Sequence, residues 1–323
     1  MSLSDPALSV ILIVGDRRER AGLSLRSILD QGPIEQMEVL LLDCGAPGAV
    51  PIHGVDHRSV RCLRLRPGLP AGWVRAEGVR RARAPIVAFL EEHAWAMPGW
   101  AEAVLNAHAG PWAAVGPEMN NGNAGAGLNA LLAPLYYPLW SPPAVEGEMG
   151  DIGHHNSAYK REVLIRYGEL LEALMYPEEL LVRRLHRDGY RLYLLPAMKV
   201  LHFYETYLRA TCLVNYLSHR GIEAGTDEVE PRSIWRRAWR LLILPLSPFR
   251  RALKLWLTLR RHRPEKLPYF WRGLPVVFAV NTAAALGGMV GLIFGMQDTA
   301  IRFLDSQINL PRMIFVEGQP RLL

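Results

Sequence analysis

The sequence predicts an α/β protein with a doubly wound, mostly parallel sheet, followed by amphipathic helices and a C-terminal transmembrane helix. Three observations indicate this architecture. Short apolar runs alternate with helical periodicity in the first two thirds of the chain, a cluster of arginines and lysines follows, and a long uncharged run comes near the C-terminus. Strands that alternate with helices favour a parallel sheet with right-handed crossovers.

We expect four segments. They are an α/β domain, basic interfacial helices, a transmembrane or membrane-inserted helix and a C-terminal tail, at residues 1–230, 231–273, 274–295 and 296–323.

The N-terminal part of the chain alternates between predicted strands and predicted helices. Its first apolar run, LSVILIV, has the length typical of a central parallel strand. The predicted strands are residues 8–14, 37–42, 60–65 and 86–90, and the predicted helices are residues 20–29 and 75–83. The second strand runs into Asp43, and the fourth runs into Glu91, Glu92 and His93.

The following part contains two loops with unusual composition. A Gly- and Ala-rich stretch that ends in aromatic residues, at 120–140, suits a mobile substrate loop, and residues 151–159 form a loop with His154, His155 and Asn156. An amphipathic helix is predicted to begin at Glu178 and to end before Gly189. The other predicted helices are residues 100–109 and 161–167, and the other predicted strands are residues 113–116, 190–195 and 200–202.

Acidic and histidine side chains follow two of the predicted strands. Asp43 follows one, and Glu91, Glu92 and His93 follow another. The carboxyl ends of parallel strands form the edge of the sheet where ligands bind. Carboxylate oxygens and an imidazole nitrogen suit a divalent cation, although residues of these types also cap strands in solvent. No Gly-rich phosphate loop follows the first strand, so the sequence favours a metal over a P-loop or dinucleotide motif.

The charge distribution indicates a membrane surface. The formal charge is +6, and twelve arginines and lysines lie between residues 232 and 272, against Glu265 alone. These cations alternate with Trp and Leu residues, which favours anionic lipid over nucleic acid as the partner. Three cysteines without CxxC spacing indicate neither a disulfide framework nor a thiolate zinc site, and the first ten residues show no secretory signal.

An uncharged run of 22 residues at 274–295 predicts a transmembrane or membrane-inserted helix. At 1.5 Å per residue it extends about 33 Å, enough for a hydrocarbon core of roughly 30 Å. A buried helix, an interfacial helix or a re-entrant hairpin remain alternatives. Basic residues just before the run predict a domain on the cytoplasmic side of the cell inner membrane. The tail lies on the far side or folds back along the surface.

Five segments carry a resemblance to a known family. They are LSVILIVGDRRE, LLLDCGAPG, IVAFLEEHAWAMPGW, GHHNSAYKREVL and YPEELLVRRLHRDGYRLYLLP. Over residues 8–202 the chain resembles the nucleotide-sugar-dependent family 2 glycosyltransferases, which have the Rossmann-like GT-A fold. The family's aspartate pair appears here as Asp43 followed by Cys44, and its Asp-any-Asp metal motif as Glu-Glu-His, which looks like a membrane-associated subgroup.

The resemblance implies a nucleotide site and a metal site. It assigns Asp43 to the nucleotide base, and Glu91 and Glu92 to the rest of the nucleotide. Mg²⁺ or Mn²⁺ would be held against the diphosphate by Glu91, His93 and His202.

The resemblance also implies a catalytic base and a sugar-binding loop. Glu178 or Glu179 takes the position of the general base of inverting members. His154, His155 and Asn156 belong to a loop for the acceptor or the donor sugar. The implied reaction moves a sugar from a nucleoside diphosphate donor to a lipid-linked or membrane-presented acceptor, in polysaccharide or glycolipid assembly. The alternative is a non-catalytic membrane scaffold that kept the fold.

Overall fold

The computed structural model describes residues 5–125, 127–132, 135, 137–316 and 319–323, without the side chains of Ala130 and His154. Nine strands form one sheet: β1 (Leu8–Val14), β2 (Met37–Asp43), β3 (Val60–Arg64), β4 (Ile86–Glu91), β5 (Ala94–Ala96), β6 (Ala114–Asn121), β7 (Gly147–Glu148), β8 (Ala158–Lys160) and β9 (Leu192–His202). Their order is β3-β2-β1-β4-β8-β6-β9-β5, and β7 pairs with β9. The protein is therefore a mixed α/β protein with a mostly parallel central sheet.

The helices cover this sheet and extend beyond it. They are α1 (Arg18–Leu29), α2 (Ala71–Arg81), α3 (Trp100–His108), α4 (Asn129–Leu132), α5 (Arg161–Ile165), α6 (Leu170–Leu174), α7 (Glu179–Arg187), α8 (Leu208–Val229), α9 (Ile234–Ile243), α10 (Ser247–His262), α11 (Leu267–Phe294) and α12 (Thr299–Asn309). A separate two-stranded ribbon is formed by β10 (Met313–Val316) and β11 (Gln319–Leu322).

The parallel half of the sheet confirms the strands predicted from the apolar runs. Strand β1 lies between β2 and β4, and the register places Val14 opposite Asp43 and Ile13 opposite Glu91. Alternate residues of β1 enter two different cores, with Ile11 on one face and Val10 on the other. Burial on both faces explains why β1, β2 and β4 are nearly continuous apolar runs.

The other half of the sheet differs from the prediction. Two short strands were expected at residues 190–195 and 200–202, and the structure has the single strand β9. The pairing of β9 with β6 shifts next to Pro117, opposite a stretch that contains Pro196, which has no amide hydrogen to donate. Strand β6 is longer than predicted, and β5 pairs Ala94 with His202. This pairing brings the end of β9 next to the end of β4.

Part of the predicted substrate loop at residues 120–140 lies outside the described residues. Within the described part, β6 extends into the segment and α4 follows it.

Helix α8 was not predicted. Its buried residues are mostly polar or small and include Arg220, Gly221 and Glu223, so the sequence has no clear apolar stripe there. The helix packs against α11. Added Cβ atoms at Gly287 and Gly291 would lie 2.1 Å and 2.4 Å from the backbone oxygens of Tyr216 and Arg220, so the two backbones are in close contact.

Helix α11 contains the predicted membrane segment. Within the described residues, Pro264–Phe294 is long and apolar enough to cross a membrane. Both ends of the helix contact the α/β domain, because Arg263 donates to the carbonyls of residues 141–143 and Arg220 donates to the carbonyl of Gly295. These contacts show that the helix packs along the α/β domain, and its insertion into a membrane stays a prediction.

The C-terminal tail folds back onto the α/β domain. Ala300, Leu304 and Ile308 of α12 belong to the same core as β1 and β2. Asn309 accepts a hydrogen bond from the backbone N of Asp16 at 2.8 Å. Of the two arrangements expected for the tail, the structure therefore has the one that returns along the domain.

Candidate functional site

Glu91 is at the centre of the candidate site. It ends β4, and its carboxylate Oε2 accepts a hydrogen bond from Asn156 Nδ2 at 3.0 Å and lies 3.0 Å from His202 Nε2. Asn156 is fully buried and also accepts from the backbone N of Glu91 at 2.9 Å. Asn156 was predicted as part of a sugar-binding loop, and in the structure its amide is engaged in orienting Glu91.

Glu91, His155 and His202 form a group that can hold a metal ion. One ligand atom from each lies within 4.8 Å of the other two. His93 is adjacent, with Nε2 at 3.4 Å from Glu91 Oε2. The predicted metal ligands Glu91 and His202 are therefore together. His155, predicted for the sugar loop, completes this group in place of His93.

The chemistry of the ligand atoms in this group limits which metal ions can bind. Among the described residues, Nδ1 of His93 and Nδ1 of His202 are buried without a hydrogen-bond partner. One carboxylate with two imidazoles suits Mn²⁺, Fe²⁺ or Zn²⁺ better than Mg²⁺, which prefers oxygen ligands. The group is therefore compatible with a divalent cation, and the identity of the ion stays a prediction.

The protonation states of Glu91 and His202 are those that a metal needs. Burial acts to raise the pKa of Glu91, but the imidazoles of His93 and His155 and the hydrogen bond with His202 hold it well below its usual range. Burial lowers the pKa of His202 to about 4, although Glu91 opposes this shift. Glu91 is therefore ionised and His202 neutral at pH 7, and these are the forms that coordinate a cation.

A buried carboxylate faces the same cleft. Glu178 precedes α7, and its Oε1 lies 2.9 Å from Arg75 Nη2, with both side chains at most 10% exposed. Burial raises the pKa of Glu178, and Arg75 acts against that shift. Glu179, the other predicted candidate for the base, also lines the cleft. The structure thus places both predicted carboxylates next to the metal-competent group.

The cleft has a volume of about 270 Å³ and includes residues that the sequence did not indicate. These come from α2, α8, α12 and a loop after β9, and they are Arg75, Tyr204, Asn215, His219, Phe303 and Gln307. Only Tyr204 follows a predicted strand, and two of the helices belong to segments that the periodicity did not assign to the site. His154 is in a 3₁₀ turn with His155 and Asn156, and its side chain lies outside the described part.

Glu92 is not directed into the metal group. Its carboxylate oxygens accept from Arg20 Nε at 2.6 Å and from Arg20 Nη2, and the two side chains are 1% and 0% exposed. Glu92 was predicted as a nucleotide contact. The structure instead places it in a buried ion pair with α1, because the side chains of consecutive strand residues point to opposite faces of the sheet.

Asp43 is also separated from the metal group. It accepts from Arg18 at 2.7 Å and from Arg64, and it does not line the cleft that the described residues form around Glu91. Leu304 and Ile308 of α12 line a pocket beside Cys44 and also a pocket beside Glu91, so α12 lies between the two strand ends. Neither of the two pockets that the described residues form beside Glu91 includes Asp43. A nucleotide that contacts both residues therefore stays a prediction.

Comparison with known protein families finds no family that matches this chain, and comparison with curated proteins finds no match either. The fold and the site geometry therefore carry the functional argument.

Proposed function

We propose that the protein is a metal-dependent glycosyltransferase of the GT-A fold, related to family 2. It would transfer a sugar from a nucleoside diphosphate donor to a lipid-linked or membrane-presented acceptor. One observation carries the proposal. Glu91, His155 and His202, which can hold a metal, share a cleft at the carboxyl end of a mostly parallel sheet with the buried carboxylate of Glu178. A cation site next to a shielded carboxylate suits the transfer of a sugar from a diphosphate to a hydroxyl.

The residues of the cleft have different roles in the proposed reaction. Glu91, His155 and His202 would hold the cation, which would neutralise the charge that develops on the departing nucleoside diphosphate. Asn156 keeps the carboxylate of Glu91 in place. Second-sphere partners of this kind tune metal affinity.

Glu178 is the preferred base, because its raised pKa makes it a stronger proton acceptor than an exposed glutamate. The acceptor oxygen forms a bond to the anomeric carbon, and the bond from that carbon to the diphosphate oxygen breaks. The acceptor's proton goes to Glu178. This single displacement inverts the anomeric configuration.

A membrane position is supported by the exposed face of α9 and of the turn that follows it. Trp235, Trp239, Leu242 and Leu246 are each more than half exposed and recur at helical spacing. Arginines flank this stripe, and an apolar helix face with basic flanks binds the interface of anionic bilayers. We propose attachment to the cytoplasmic side of the cell inner membrane, with the apolar side chains in the interface.

The test is calorimetric titration of the full chain with Mn²⁺, followed by titration with nucleoside diphosphates. We expect Glu91→Gln and His202→Gln to weaken Mn²⁺ binding at least tenfold, as the loss of a ligand requires. The control His186→Gln changes an exposed histidine of α7 and leaves binding unchanged. Glu178→Gln keeps Mn²⁺ binding and lowers sugar transfer by a factor of roughly 10² to 10⁴. Mn²⁺ binding that is indifferent to Glu91 and His202 refutes the proposed metal site.

The second candidate is a non-catalytic scaffold. It is favoured by the position of α12 between Asp43 and Glu91. It is also favoured by the ion pairs that Asp43 forms with two arginines. For a nucleotide to bridge the two strand ends, α12 has to move. If no nucleoside diphosphate binds with or without Mn²⁺, the scaffold is the better interpretation.

A further inference from the structure

A second polar cavity lies beside the metal cleft. It has a volume of about 470 Å³ and is bordered by the end of β6, α4, residues 141–142, Lys266 and the first turn of α11. Its polar lining consists of Asn121, Asn129, Ser141, Tyr204, Lys266 and Tyr269. We propose that this cavity binds the phosphate-bearing head group of a membrane lipid that serves as the acceptor, an inference that rests on the proposed function.

Asn129 is the first indication of a ligand. Its side chain lines the cavity, the residue is 1% exposed, and neither the amide nitrogen nor the amide oxygen has a hydrogen-bond partner among the described residues. The amide nitrogen of Asn121, on the same wall, is also buried without a partner. A buried amide left unpaired costs about 1–3 kcal/mol, so two of them in one cavity indicate a polar occupant.

The ammonium group of Lys266 indicates that the occupant is an anion. Its Nζ donates to Ser141 Oγ at 2.8 Å, the one hydrogen bond of this amine among the described residues. Arg263, one turn earlier, is occupied with the backbone carbonyls of residues 141–143 and with Glu265. An ammonium with two unused donors and the two unpaired amide nitrogens match the oxygen atoms of a phosphate. A neutral sugar alone would leave the charge of Lys266 uncompensated.

The surroundings favour a lipid over free phosphate. The residues that follow Lys266 in α11, Trp271, Leu274 and Phe278, line an apolar groove of about 340 Å³ that α10 completes with Leu253 and Trp256. This groove belongs to the surface that carries the exposed apolar residues of α10 and α11. Tyr269 lines the cavity and the next residue, Phe270, lines the groove, so a lipid whose hydrocarbon chain lies in the groove has its head group beside the cavity.

Tyr204 connects the cavity to the metal centre. It lines both the cavity and the cleft, and its ring centroid lies 4.4 Å from that of His202. A head group held by Lys266 is therefore one aromatic ring away from a metal ligand. This position suits an acceptor that presents its reactive oxygen to the cleft.

The experiment measures binding of farnesyl phosphate to the full chain in detergent, without metal or sugar donor. Its outcome is thus independent of the metal site. We expect Lys266→Met to weaken binding at least tenfold, in line with the loss of one charge-assisted hydrogen bond. Asn129→Leu should weaken binding as well, while it raises the melting temperature because an unpaired amide is replaced by an apolar group. The matched control is Lys254→Met, at an exposed position of α10.

Three results would overturn the proposal. Farnesol that binds as tightly as farnesyl phosphate would mean that only the apolar groove is used. Inorganic phosphate that binds as tightly would mean that the ligand is a free phosphate. An equal loss of binding in Lys254→Met and Lys266→Met would show that farnesyl phosphate responds only to general surface charge.

Discussion

The buried ion pair between Arg20 and Glu92 yields a prediction about stability. The side chains are 0% and 1% exposed, so the Glu92→Gln change leaves the arginine charge in a site without water. Removal of one partner from a buried pair costs about 3–5 kcal/mol, a large part of the stability of a typical domain. We expect the free energy of unfolding to fall by about this amount in Glu92→Gln.

Arg20 has further partners, which make its own replacement more severe. It donates to the backbone carbonyls of Ile308, Leu310 and Leu323 at 3.2, 2.7 and 3.2 Å, and so holds the C-terminal segment against α1. Arg20→Met removes this donor from Glu92 and from the carbonyls of Ile308 and Leu310, while the Leu323 oxygen keeps the backbone N of Arg312. The double variant Arg20→Met/Glu92→Met removes both charges but not the unpaired carbonyls, so it should recover only part of the loss.

The assay is urea unfolding followed by tryptophan fluorescence, with hydrogen exchange of residues 308–316 as a local measure. The control is Glu19→Gln. Glu19 pairs with Arg321 at 2.9 Å and also connects α1 to the C-terminal segment, but both side chains are at least half exposed. Loss of this ion pair should lower the free energy of unfolding by less than about 1 kcal/mol. If Glu92→Gln costs no more than Glu19→Gln, the ion pair is not the stabilising contact that its burial indicates.

Three further predictions concern the site, α12 and pH. Asn156→Ala should weaken Mn²⁺ binding by a factor of roughly 10 to 100, because it releases the carboxylate of Glu91, and calorimetry would detect this; unchanged affinity would contradict the orienting role. Ile308→Ala should lower the free energy of unfolding by about 2–5 kcal/mol and yet tighten nucleoside diphosphate binding, because it weakens the docking of α12 over the strand ends. Weaker nucleotide binding in that variant would instead make α12 part of the binding site. Burial lowers the pKa of His108 to about 4, so the folded state resists its protonation and stability is lost as the pH falls from about 6.5 towards 4. His108→Leu should remove roughly 3 kcal/mol of that loss in acid unfolding curves, and unchanged curves would contradict the assignment.

The sequence by itself determined the parallel half of the sheet and the position of Glu91. Strands buried on both faces are continuous apolar runs, and a parallel sheet places the residues after its strands at one edge. For this reason Glu91 could be predicted at one end of the sheet, whereas Glu178 and Glu179 were expected at the site only because of the resemblance to family 2. The cationic stripes of α9 and α10 could also be predicted from the sequence, because an exposed amphipathic helix shows its pattern in consecutive residues.

Only the tertiary structure decided which of these residues meet. The side-chain alternation along β4 sends Glu92 to Arg20, and the pairing of β5 with β9 brings His202 to Glu91. The return of α12 across the strand ends separates Asp43 from Glu91. These contacts join residues far apart in the chain and leave no local periodicity, so the sequence does not show them. The same holds for α11, whose apolar composition is compatible with a membrane span but whose packing along α8 depends on Gly287 and Gly291 meeting a polar helix.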